Sequence, residues 1–273
     1  MGEIVRQRLI WLAVATAAVV PAFAGPIVNL NSAGSFALLG GTISNTGVSL
    51  ITGNVGSPTT ITDSGPWIVT GTVYPFPSNP TVATAYSDFE SAFNLAMALS
   101  PTQSFTDLTT SETFIGNNVY TFTDPIISTT TGINLAFDAQ NDPSEVFVIR
   151  IATALTVNGA MTFTLENGAQ AGNIFWIVGT DATISVADQA PITFDGDILA
   201  GDTFTMSAGA GGVNVLAGTI NGCVFSENAN TLAAQTDVGG CNSTGGGATP
   251  EPGTLSLLGM GLGAGFLLLR KFR

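Results

Sequence analysis

Residues 201–212 read GDTFTMSAGAGG. Thr203, Thr205 and Ser207 alternate with Phe204 and Met206. In an extended strand the apolar pair points to one side and the three hydroxyls to the other. One amphipathic strand is ordinary. The fold is decided by whether the same strand returns at a fixed interval.

It does. The apolar segments SEVFVIRI from Ser144, GNIFWIVG from Gly172, GDILAG from Gly196 and GCVFSEN from Gly222 begin 28, 24 and 26 residues apart. NNVYTF from Asn117 lies 27 residues ahead of the first. This spacing suits one coil of a β-solenoid with three short strands and three corners. After each apolar strand comes an alternating one: ALTVN, ATISV, DTFTMS and NTLAA. A third follows: MTFTLENG, PITFDG and GVNVLAG. Gly, Asn and Asp gather between them, as corners require. On the second strands Leu155, Val157, Ile184, Val186, Phe204, Met206 and Leu232 point inward. Thr156, Asn158, Thr183, Ser185, Thr203, Thr205, Ser207 and Thr231 point outward. Before residue 80, FALLGG, TISNTG and VSLITG form one more coil, and NVGSP, TTITDSG and PWIVTG another. Thr42, Ser44, Thr60 and Thr62 extend the same outward row.

The first strands are apolar without alternation, so both of their faces are covered. The cover is NPTVATAYSDFESAFNLAMALSP. Asn79 caps it, Pro80 sits in its first turn and Pro101 follows its end. Val82, Tyr86, Phe89, Phe93, Ala96 and Leu99 recur at helical spacing. A helix over about 80–99 is roughly 28 Å long and spans about six coils stacked at ~4.8 Å. It therefore lies along the apolar face and carries the chain from one end of the stack to the other.

Composition narrows the function. The chain has 273 residues with 33 Gly and 17 Phe, and no histidine. Between Gly25 and Thr249 there is one cation, Arg150, against seventeen carboxylates. A nucleic-acid partner is excluded, because phosphate binding needs clustered Lys and Arg. A His/Cys zinc site is excluded too. Asp195-Gly-Asp197 and the NDPSE stretch near Asp142 and Glu145 read as corner turns rather than calcium ligands. Arg150 is a poor candidate for a lyase catalyst, and is expected to pair with Asp88 or Glu90. No catalytic residue, metal or cofactor is expected.

Both termini read as export signals. Arg6 and Arg8 precede an apolar run and the small-x-small site before Ala24 and Gly25, so residues 1–24 are a secretory signal peptide. Residues 25–238 form the solenoid and 239–249 a Gly/Ser/Thr linker. Residues 250–273 begin Pro250-Glu251-Pro252, continue as a Gly-rich apolar run and end in a basic cluster, a pattern for a membrane segment with a cytoplasmic basic end. That order resembles the PEP-CTERM sorting signal, which implies a sorting enzyme and a surface or released product. Export favours a Cys223–Cys241 disulfide over two free thiols, closing a loop worth roughly 3 kcal/mol on the chain-entropy model.

The body, from about Ala33 to Ala234, resembles the microbial ice-binding proteins. The resemblance is carried by SFALLGGTISNTG, ITGNVGSP, VATAYSDFESAF, GNNVYTF, LAFDAQNDPSEVFVIRI, LENGAQAGNIFWIVG and GDILAG. It implies a mainly β fold: a right-handed triangular β-solenoid, discontinuous along its axis, with one long α-helix packed along one face. It also implies no enzyme activity and adsorption to ice or ordered water through the flat face free of the helix. Gly172 and Asn173 stand where the family often has cysteine. On the outward row Ala154, Ala182 and Ala233 replace hydroxyls, and Asp181 and Asp202 place charge at the edge. The alternative is an adhesive matrix solenoid that binds exopolysaccharide.

Overall fold

The computed structural model describes residues 28–74, 79–124, 126–127, 132–157, 161–186, 191–208 and 216–241. Ala24, Gly25, Asn158 and Pro250-Glu251-Pro252 lie outside the described residues, as do the expected signal peptide and sorting segment.

The chain opens with β1 (Phe36–Asn45), β2 (Ser49–Ile51), β3 (Asn54–Gly56), β4 (Thr60–Asp63) and β5 (Trp67–Val69), followed by α1 (Pro80–Met97). After the helix come β6 (Gln103–Phe105), β7 (Glu112–Ile115), β8 (Asn118–Phe122), β9 (Ile126–Ile127) and β10 (Ile133–Asp138). Two triplets follow: β11 (Phe147–Ile151), β12 (Leu155–Val157) and β13 (Met161–Glu166), then β14 (Ile174–Val178), β15 (Ala182–Ser185) and β16 (Ile192–Asp195). The rest is β17 (Asp197–Ala200), β18 (Thr203–Ser207), β19 (Leu216–Asn221), β20 (Val224–Leu232) and β21 (Gln235–Val238).

Among the described residues every strand pair is parallel, and the strands sort into three ladders. The first runs β6-β8-β11-β14-β17 and ends on the first half of β20. The second runs β9-β12-β15-β18 and ends on the second half of β20. The third is broken into β7-β10-β13 and β16-β19-β21-β2-β5. Each turn of chain thus adds one strand to each ladder, at the interval found in the sequence. β1 lies along both halves of β20 and carries β3 and β4 on its other edge. The N-terminal coils therefore stack beyond the C-terminal ones, and the order along the stack is not the order along the chain.

The interior is built from the alternate residues. Leu155, Val157, Ile184, Phe204, Met206 and Leu232 are fully buried. Phe163 and Phe194 meet at 5.0 Å between centroids, so aromatic packing bridges the break in the third ladder. Ala182 corrects one expectation. It pairs with Leu155 and Phe204 and is fully buried, so it is a core residue and not a gap in the outward row. A one-residue error of parity moves a side chain to the opposite face.

The helix covers the first ladder. Asn79 Oδ1 accepts from the Thr81 N–H at 3.0 Å, and Pro80 occupies the first turn. Val82, Ala85, Phe89, Ala92, Phe93 and Ala96 are buried in one cluster with Val148, Phe175, Leu199 and Phe225. On β11 the contact is made by Val148, because Phe147 points into the interior. Arg150 pairs with neither Asp88 nor Glu90. Its guanidinium donates to the carbonyls of Met97 (2.7 Å) and Leu99. Strand β11 lies under the helix C-terminus, where unpaired carbonyls and the dipole favour a cation. Asp88 instead accepts from the Ser32 N–H at 3.0 Å.

Cys223 and Cys241 are bonded, with their Cα atoms 4.4 Å apart. Beside them Asp197, 2% exposed, accepts from the Cys223 N–H at 2.9 Å. Burial pushes its carboxyl up to about 8, against the opposing effect of that hydrogen bond.

Two outcomes follow from this packing. Phe89→Ala should lower stability by roughly 3–5 kcal/mol, the usual loss for a buried Phe; a loss below about 1 kcal/mol in denaturant unfolding contradicts the packing. Asp197 holds a proton in the folded state that the unfolded chain releases near its ordinary pKa of ~3.9. Its contribution is therefore fully present below about pH 4 and is lost as pH rises towards about 8. Asp197→Asn should remove that part of the fall in melting temperature between pH 4 and 8. An unchanged slope in thermal melts sinks the assignment.

Candidate functional site

The second ladder is a face the helix leaves open. Its strands alternate because one side packs on the core and the other meets solvent. Register places the outward residues in columns. The central column runs Thr156, Thr183, Thr205, Thr231, Ser44 and Thr62 through direct pairing of each with the next. Beside it Thr203 stands next to Ala229, then Thr42, then Thr60. On the other side Ser185 pairs with Ser207. Of the residues expected here, all but Asn158 are described, and they come together on one surface. The expected neighbours of Thr205, Thr183 and Thr231, lie on its two sides.

Two outer hydroxyls are engaged by the protein. Thr203 Oγ1 donates to Asp181 Oδ1 at 2.6 Å, and Thr42 Oγ1 reaches the Asn228 carbonyl at 3.4 Å. Among the described residues, the six central hydroxyls have no such protein partner and remain available to water. The edge carboxylates are tied down. Asp181 is held by Thr203, and Asp202 accepts from Asn228 Nδ2 at 2.5 Å. Within the columns the side chains are short and uncharged. Along a strand, alternate residues are ~6.6 Å apart, and adjacent strands are ~4.8 Å apart. The columns therefore form a two-dimensional grid of hydroxyls and methyls on backbone that cannot bend without breaking the ladder.

The third ladder differs. Thr193 pairs with Thr219, but the next residue in that column is Asp237. Beyond it Leu50 and Ile68 are exposed, Ile68 at 64%. The ladder is also interrupted between β13 and β16. Among the described residues it offers no continuous hydroxyl column.

Asp195 and Asp197 flank the corner at Gly196, whose φ is +117°. They face different partners. Asp195 accepts from Asn221 Nδ2 at 2.7 Å, and Asp197 from the Cys223 N–H. Burial raises the Asp195 carboxyl above its ordinary range, and the Asn221 bond opposes this. The Asp197–Cys223–Cys241 cluster is not legible from spacing, since no local pattern brings residue 197 to 241. Among the described residues no helix is long and apolar enough to cross a membrane.

Comparison with known proteins gives one consistent result. Residues 38–237 match the family model described as Ice-binding-like. A protein of Nostoc sp. (strain HG1) called Ice-binding protein is 34% identical over 189 residues, covering 68% of this chain. The chain spans 66% of that relative's length. An Ice-binding protein of Flavobacterium frigoris (strain PS1) is 30% identical over 227 residues, covering 77% of this chain and 75% of the relative. Among solved structures, the ice-binding protein of the Antarctic ascomycete Antarctomyces psychrotrophicus superposes with TM-score 0.64 at 27% identity, covering 79% of this chain and 99% of that one. An ice-binding protein from an Antarctic biological consortium gives 0.63 at 27% identity, with 78% and 89% covered.

Proposed function

The chain belongs to the ice-binding-like family, and from that premise we propose that it adsorbs to ice through the second ladder, as a non-enzymatic exported protein. The observation that carries the reading is the unbroken central column of six hydroxyl residues drawn from both ends of the chain. Each Thr presents a hydroxyl that bonds water and a methyl that hydrates weakly. A regular array of both holds water near the positions of a lattice. The face is fixed before binding by core packing and parallel ladders, so little ordering entropy is lost on adsorption. Molecules fixed to a growing crystal obstruct its advance where they sit, which would slow ice growth or recrystallisation.

The triangular right-handed closure belongs to this reading, supported by the threefold recurrence of the strands among the ladders. So does the path to the surface: a signal peptide cleaved between Ala24 and Gly25, and a sorting enzyme acting at Pro250-Glu251-Pro252. In that account residues 250–273 hold the chain in the membrane before processing. The matrix alternative, exopolysaccharide binding, lacks an observation that favours it and becomes an outcome of the test.

Purified residues 25–249 should shape growing ice crystals; unshaped growth at high protein concentration overturns the proposal and turns attention to polysaccharide. Thr205→Tyr should keep its fold, since Thr205 is half-buried on the outward face and a surface change usually costs less than ~0.5 kcal/mol. Inward Phe204 and Met206 are untouched. Ice adsorption should fall roughly tenfold or more, the scale of a hot-spot change, because one protruding ring lifts several neighbouring residues away from the lattice. The control is Thr193→Tyr on the third ladder, where Thr193 is exposed. Loss in the control with none in Thr205→Tyr would place the site on the wrong face.

A further inference from the structure

The Asp197 carboxyl and the two bonded sulphurs lie within 4.8 Å of one another. Ice adsorption makes no use of this cluster. It sits on the helix-covered side, where Cys223 is fully buried and Cys241 is half-buried. An acidic side chain in such a place costs desolvation unless it is neutral. Its hydrogen-bond partner is the N–H of Cys223 itself. Cys241 is the third residue of the expected linker, 239–249, and the bond ties it to the residue just before β20.

We propose that Cys223, Cys241 and Asp197 form a thiol–disulfide exchange site, in which Asp197 moves the proton of Cys223 while the bond to Cys241 opens and closes. The co-reactant is a dithiol, small or protein-borne. Its thiolate attacks Sγ of Cys241, the less buried of the two cysteines. A new S–S bond forms there as the Cys223–Cys241 bond breaks, and the electron pair goes to Cys223 Sγ. Asp197 gives that sulphur its proton and becomes a carboxylate. The second thiol of the reagent loses its proton to water and, as a thiolate, attacks the reagent's first sulphur in the mixed disulfide. Cys241 leaves as a thiolate and takes a proton from water, and Asp197 recovers its own proton from water as well. The reagent is oxidised to its disulfide and the protein is reduced. In reverse, Asp197 takes the proton from Cys223 as that sulphur attacks a mixed disulfide on Cys241.

The surroundings leave the carboxyl to act alone. Its register neighbour on β14 is Phe175, and Ala171–Asn173 pack against β17. Asp195, the nearest acid along the chain, is bonded to Asn221, and on the helix Asp88 is bonded to Ser32 while Glu90 faces Tyr86 and Glu227. No charge among these pairs with Asp197.

The test is reduction of the folded protein by dithiothreitol between pH 6 and 9.5, followed by alkylation and mass spectrometry. Rates are expressed per reagent thiolate. The wild-type rate should be level at low pH and fall as pH rises through about 8, where Asp197 loses its proton. Asp197→Asn keeps an acceptor for the Cys223 N–H but carries no transferable proton, and should react at least tenfold more slowly at pH 7, at or below the usual range for a lost general acid. Equal rates in the two proteins, or a wild-type rate level to pH 9.5, overturn the proposal. If Asp197→Asn does not fold, the wild-type profile decides alone. Cys223→Ser should take up glutathione from its disulfide at Cys241 about tenfold faster than Cys241→Ser does at Cys223, as access controls exchange. Equal uptake, or faster uptake at Cys223, would remove the assigned direction of attack and sink the proposal.

Discussion

The parallel pairing of β1 with β20 is the constraint on which the other features depend. It joins the start of the body to its end, with Leu38 against Val224 and Ser44 against Thr231. Without it both strands would present open edges, which soluble proteins avoid. The approach is close at the bend of β1. A side chain on Gly40 would meet Asn230 Nδ2 at 2.5 Å, and one on Gly41 would meet the Glu227 carbonyl at the same distance. The shift of register at this point lets one strand serve two ladders, as β20 does opposite it. The central hydroxyl column crosses this junction. The functional face exists only once residues almost two hundred positions apart have paired, so it depends on the least local contacts of the fold, the kind that form slowly.

The helix is a consequence of that junction. Coils stacked out of chain order require a connection that runs the length of the stack, and a helix covers this distance compactly. Once there, it completes a second apolar layer, with Phe89 against Phe225 at 5.6 Å between centroids. The one cation of the body, Arg150, closes its C-terminal end. An acidic exterior thus keeps its single guanidinium for a structural task rather than for a surface pair, which would contribute little.

The threefold repeat, the inward set on the second strands, the covering helix and its Asn79 cap are all legible in the sequence, because each is written in local periodicity. Features that depend on what lies across a gap are not. Ala182 reads as outward because a lone small residue carries little sign of which face it occupies. Charge alone matches Arg150 to carboxylates, whereas its position under the helix end brings it to carbonyls. Asp197 is legible as part of a corner, but its burial against the disulfide depends on the stacking of β17 on β20 and on the path after β21. The pairing of β1 with β20 follows only from helix length and from the resemblance, since no run of residues encodes it.

The three ladders show how one repeat yields different surfaces. All are built from short parallel strands with the same inward alternation. Under the helix, Val148, Phe175 and Leu199 replace polar outward residues, and water is excluded. In the third, Asp237 interrupts the column, and the ladder itself breaks between β13 and β16. A carboxylate holds its own hydration shell and would have to surrender it to fit against a lattice. Among the described residues, only the second ladder combines a continuous backbone, short neutral side chains and a central column of hydroxyls free of protein partners. Its acids, Asp63, Asp181 and Asp202, stand at the rim and are already bonded to Asn45, Thr203 and Asn228. The acidity needed for solubility is therefore kept off the face, and the regularity that binding requires is preserved where the water must be ordered.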